Sequence, residues 1–220
     1  MADWGALLTT ENGSPFITPQ SIPLALYSKK TVNVASNSGA IITETFSAGR
    51  PIIPFVISTV PCISSYVASG STCSVTVTSF PSSGTVTVYF FTIFPQPLPD
   101  WGIAIWDENG TCILTNETRV LTDVAAIGTS GSDASGGYNI NTTRSGKWGI
   151  VPSLCGLVTG IIGTSQPRPY MAQYSFCAIW NGSSTNIKSH VSQQPDGAVS
   201  GTAYHNMRNR VYALNLQGYD

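Results

Sequence analysis

The chain contains the same segment twice. Asp3-Trp4-Gly5, followed after five residues by Glu11-Asn12-Gly13, returns ninety-seven residues later as Asp100-Trp101-Gly102 and Glu108-Asn109-Gly110. Over 22 ungapped positions, Asp3–Leu24 against Asp100–Leu121, eight residues are identical. Many of the differences are conservative, among them Ala6/Ile103, Leu8/Ile105, Ser14/Thr111, Phe16/Ile113 and Ile17/Leu114. A period of this length is too long for a solenoid. It matches the size of a small β-sandwich domain.

The repeated chemistry is that of a β-hairpin. Asn and Gly best tolerate the positive φ that both central positions of a type I′ turn require. Apolar strand residues flank each Asn-Gly, Ala6–Leu8 with Phe16–Ile17 and Ile103–Trp106 with Cys112–Leu114. Asn12, Gly13, Asn109 and Gly110 are thus read as hairpin-turn residues. The Trp-Gly at the head of each copy predicts a large ring over the opening of a sandwich, with the glycine allowing close backbone approach.

Pro95-Gln96-Pro97-Leu98-Pro99 fits neither a helix nor a sheet interior and lies just before the second copy. The expectation is two tandem β-sandwich-like domains, residues 1–95 and 100–220, joined by a Pro-rich linker at 96–99. Composition agrees: 27 Ser, 24 Thr, 21 Gly and 14 Pro favour short strands and turns over helices. Cys73–Phe80 and Gly84–Phe91 alternate around a Pro-Ser-Ser-Gly turn, and Ala172, Tyr174, Phe176, Ala178 and Trp180 alternate before Asn181-Gly182. Ile41–Phe46, Ile52–Ser58, Trp148–Val151, Leu157–Ile162, Ile187–Val191 and Val211–Leu216 read as further strands. No long segment has a helical period, so the fold class is all-β.

Charged residues make up 10% of the chain, against about 25% in an ordinary domain. The net charge is −1, so there is no basic excess with which to bind nucleic acid through its phosphates. Clusters that would hold a metal or cofactor are not evident, and none is expected. The N-terminus has neither the basic nor the apolar region of a signal peptide, which points to a soluble chain made in the cytoplasm. The apolar stretches Ile52–Ile63 and Val86–Phe94 fall short of the roughly 20 residues of a membrane span. Cys62, Cys73, Cys112, Cys155 and Cys177 are odd in number and widely spaced. They are read as buried thiols and not as a disulfide framework.

Catalytic constellations are scarce. Asp107 and Glu108 are adjacent beside an Asn-Gly, which suits a solvated turn better than two carboxylates facing each other across a bond. His190 and His205 lie in no recognisable motif, and no G-x-S-x-G, H-E-x-x-H or P-loop occurs. The chain is therefore read as a non-enzyme. The N-x-S/T triplets at Asn12, Asn109, Asn116, Asn141 and Asn181 are read as turn chemistry. Trp106, Trp180 and Tyr138 are the rings best placed for receptor contact, although Trp and Tyr more often fill cores and interfaces.

The Trp-Gly…Asn-Gly hairpin at the start of the chain and its reprise from Asp100 resemble a family of uncharacterised tail proteins from tailed bacteriophages of enterobacteria. The resemblance covers residues 1–27 and 96–123. It implies a structural virion protein, at the tail tip or a tail-fibre attachment, assembled in the host cytoplasm. The partners implied are other phage tail proteins and further copies of the chain, as a trimer or hexamer around the tail axis. The alternative is an adhesin module that recognises a host glycan or outer-membrane protein. A depolymerase is disfavoured by the lack of a carboxylate pair and of β-helix repeats.

Overall fold

The computed structural model describes residues 8–9, 15–17, 22–79, 81–128, 140–163, 165–192, 195–205 and 210–220. The first repeat supplies β1 (Leu8–Thr9) and β2 (Pro15–Ile17), an antiparallel pair in a sheet of its own. Then come β3 (Ala25–Val34), β4 (Gly39–Thr45), β5 (Ile52–Ser58), β6 (Cys62–Ser69), β7 (Thr72–Ser79) and β8 (Gly84–Thr92). β3 and β4 are joined through Asn37 at φ 53°, a left-handed position that Asn tolerates. β6 and β7 are joined through Gly70 at φ 60°.

Strands β4-β7-β6 form one sheet, and β3-β8-β5 pair side by side in another. Between them lies a first core. Alternate residues Cys73, Val75 and Val77 of β7 meet Val86, Val88 and Phe90 of β8, with Val34, Ile42 and Val56 around them. The strict alternation in β7 is what a strand with one buried face requires. By contrast β5 is buried almost throughout, as its unbroken apolar run demands.

The second repeat supplies β9 (Ala104–Trp106) and β10 (Cys112–Thr115), again a separate two-stranded sheet. After it follow β11 (Val124–Gly128), β12 (Asn141–Ser145), β13 (Trp148–Ile150), β14 (Leu154–Ile162) and β15 (Arg168–Trp180). The last strands are β16 (Ser184–Val191), β17 (Val199–His205) and β18 (Arg210–Asn215). A 3₁₀ turn at Gln217–Tyr219 is the one helical element among the described residues. The fold is all-β and sandwich-like, as expected. A second core joins Ile127, Ile150, Cys155, Phe176, Ile187 and Val211. No helix among the described residues is long and apolar enough to cross a membrane.

Strands from both halves of the chain share one sheet, ordered β11-β18-β13-β5-β15-β14-β17, with β8 and β3 continuing from β5. β5 pairs along its length with β8, while Val56 also pairs with Ile150 of β13 and Ser58 with Ile179 of β15. The Ser58 hydroxyl is within hydrogen-bonding reach of the Ala178 carbonyl, at 3.1 Å. A third core takes Phe55, Ile57, Tyr89 and Phe91 from the first half and Leu214, Leu216 and Tyr219 from the end of the chain. The Phe91 ring meets Phe55 and Tyr219 edge-on, with centroids 5.6 and 5.0 Å away.

Residues 96–99 therefore divide neither the hydrogen bonding nor the packing into two independent halves. The proline-rich stretch is docked along the second hairpin: Gln96 donates its N–H to the Cys112 carbonyl at 2.8 Å, and its side-chain oxygen accepts from Thr118 at 3.1 Å. Proline interrupts local pairing, but apolar faces distant in sequence choose the sheet partners.

Asp220 ties the shared core at its rim. Its carboxylate accepts from Lys29 at 2.7 Å, Lys147 at 2.8 Å and the Tyr89 hydroxyl at 2.6 Å. Arg119 donates to its backbone carbonyl at 3.1 Å. Partial burial works against the charge of Asp220, but the Lys147, Lys29 and Tyr89 donors outweigh it and hold the carboxyl well below the usual range. Burial, and then the same carboxylate, push the Tyr89 phenol up. All five cysteines are buried and none forms a disulfide. Burial pushes Cys73 and Cys155 up to about 11 and Cys177 up to about 12.

Candidate functional site

The two repeats fold alike down to their register. Leu8 pairs with Ile17 and Thr9 with Pro15; ninety-seven residues on, Ile105 pairs with Leu114 and Trp106 with Cys112. Both ladders shift register at the same place. Asn12 and Gly13 lie outside the described residues. At Asn109-Gly110 only the glycine has positive φ, 76°.

The expected type I′ turn is thus corrected to a longer, bulged loop. Gly110 donates to the Asp107 carbonyl at 3.1 Å, and Asp107 donates to the Thr111 carbonyl at 2.9 Å. The Asp107 carboxylate decides the outcome, since it accepts from the N–H groups of Asn109 at 3.0 Å and Thr111 at 2.8 Å. Asp107 is engaged in the turn.

The glycine after the tryptophan is explained by close approach. Gly102 has φ 127°, and a Cβ there would fall 2.0 Å from the Asn116 side-chain oxygen. That oxygen accepts the N–H of Ile103 at 3.2 Å. The tryptophan itself overturns its expectation. Trp101 does not close a sandwich but is 80% exposed, and Ile103 is 71% exposed. Leu98 and Trp106 are exposed as well, so four large apolar side chains stand in solvent between positions 98 and 106.

Among the expected receptor contacts, Trp106 stands half-exposed on β9. Trp180 packs partly buried on the third core, because the end of β15 lies over Phe55 and its neighbours, and so it does not present a free ring. Tyr138 lies outside the described residues. His205 sits on β17 with its Nε2 3.0 Å from the Thr159 hydroxyl. No group of three His, Cys, Asp or Glu side chains that would hold a metal occurs among the described residues.

A cleft of about 370 Å³ lies where the first sheet meets β14 and β15. One wall is Ile63, Ser64, Ser65 and Tyr66 of the edge strand β6, with Thr76 and Thr78 of β7. The other is Pro152, Ser153 and Leu154, with Gln173 and Ser175 of β15. Register places Ser65 beside Thr76 and Ile63 beside Thr78, on the face turned away from the first core. Ser64 and Ser175 are more than nine-tenths buried at the floor of this lining. The lining carries hydroxyls, one carboxamide and apolar groups, without carboxylate, ammonium, guanidinium or imidazole.

Sequence reasoning missed this cleft. Alternation alone puts Ser65 and Thr76 on an outer face, but nothing local signals that Gln173 and Ser175, about a hundred residues away, close over it. The chain matches no family model, no curated protein and no solved structure at a significant level.

Proposed function

We propose that the chain is a structural component of a bacteriophage tail, at the tail tip or a fibre attachment, which assembles with itself and with other tail proteins in the virion. The observation that carries the assembly reading is the set of exposed apolar side chains Leu98, Trp101, Ile103 and Trp106, on the segment that leads into β9 and at the end of that strand. Several large apolar side chains exposed within nine residues are what a docking segment on a soluble protein presents. A two-stranded hairpin is also marginal by itself and gains by being covered. The low charge of the whole chain suits a surface largely engaged with neighbours. The likeness of the repeated motif to phage tail proteins supplies the virion setting.

The adhesin reading is kept because Trp106 offers an aromatic face to solvent. Labelled protein incubated with intact enterobacteria and with unrelated cells separates the two. The structural reading expects no saturable binding to either. Saturable, enterobacteria-specific binding that falls with Trp106→Ala supports the adhesin instead.

A further inference from the structure

We propose that the cleft between β6–β7 and β14–β15 binds a neutral saccharide. This goes beyond assembly through the hairpin and does not depend on it, since the two surfaces share no residue. The size of the cleft lies within the range of small-ligand sites. Its chemistry narrows the class. A charged ligand would lose hydration and meet no counter-charge, because none lines the cleft. A wholly apolar ligand would cover the hydroxyls and the carboxamide of the lining without offering them a hydrogen bond, at the cost of their desolvation.

A ligand dense in hydroxyls suits both constraints. Each serine and threonine hydroxyl offers one donor and two acceptor sites, and the Gln173 carboxamide offers both kinds. A sugar hydroxyl has the same dual character. Ile63 and Leu154 supply apolar contact for the C–H faces of a sugar ring. The cleft also opens onto the outer face of β4-β7-β6. There Ile41 pairs with Thr76 and Thr43 with Ser74, without a charged side chain, so further sugar units meet the same surface.

The test is saturation-transfer NMR and calorimetry on the intact protein. The probes are maltotriose, cellotriose, triacetylchitotriose and N-acetyllactosamine, with a hyaluronan tetrasaccharide as the anionic control. At least one neutral probe is expected to bind saturably and the anionic one not to bind. Ser65→Trp, at an exposed position where a ring fills the cleft mouth, should weaken binding by about tenfold or more, and Gln173→Ala by up to about tenfold through one lost hydrogen bond. Circular dichroism confirms that both variants fold. The proposal is overturned if no neutral probe binds, if the hyaluronan fragment binds equally well, or if neither substitution changes the affinity.

Discussion

Leu121 donates its backbone N–H to the Leu24 carbonyl at 2.7 Å, and these two residues hold the same place in the two copies of the repeat. Around them Leu26 donates to the Arg119 carbonyl at 2.9 Å and Ala25 bridges Val120. The ends of the two copies thus run antiparallel to each other, Leu24–Leu26 against Arg119–Leu121. The duplication is structural as well as sequential, and its ends hold each other.

The two glycines of the second repeat are expected to differ in cost. Gly110→Ala puts a side chain at positive φ with open space around it, and should cost about 1 kcal/mol. Gly102→Ala adds displacement of Asn116 and loss of its bond to Ile103, for about 2–3 kcal/mol in all. Urea denaturation of both variants checks the order; equal costs would contradict the close approach.

The Phe91 ring is wholly buried in the core that both halves share. Phe91→Ala should cost about 3–5 kcal/mol. Calorimetry should show one transition moving as a whole, with fluorescence and circular dichroism coincident. Two transitions, only one of them shifted, would mean that the halves unfold independently.

The strands were legible where one face is buried and the other wet, as in β7, where Cys73, Val75 and Val77 alternate with Ser and Thr. The repeat was legible too, down to the hairpins it forms. What escaped was non-local. Nothing near Pro97 says that β5 will pair beyond it with β13 and β15, because proline reports on its own backbone and not on distant apolar faces. Trp101 misled for a related reason: large rings are usually core, and only the surroundings show that this one is left in solvent. The same limit hid the cleft, whose walls come from strands far apart in sequence.

Asp220 makes stability depend on acid. Its carboxyl is held below the unfolded value of about 3.9, so its contribution is complete above about pH 4 and is lost as pH falls further towards the folded value. The group is partly exposed, which limits the effect of Asp220→Asn at neutral pH to about 1 kcal/mol. Urea midpoints of wild type and variant should converge below pH 4. A gap that stays constant to pH 2.5 would contradict the role given to the Lys29, Lys147 and Tyr89 donors.

All five thiols are buried from reagents in solvent, and burial also pushes up the pKa of Cys62, Cys73, Cys155 and Cys177, which makes those four poor nucleophiles. Ellman's reagent at pH 8 should therefore label none of the five cysteines in the folded protein and all of them in urea. A reducing agent should leave Tm unchanged. Rapid labelling of the folded protein, or a fall in Tm on reduction, would contradict the burial.

The assembly reading is tested most directly by sedimentation velocity on wild type and on a triple variant, Trp101→Ser with Ile103→Ser and Trp106→Ser. The account predicts an oligomer for wild type, a trimer or hexamer, and a folded monomer for the variant with an unchanged circular dichroism spectrum. A wild-type monomer at high micromolar concentration, or an oligomer that survives all three substitutions, would contradict it.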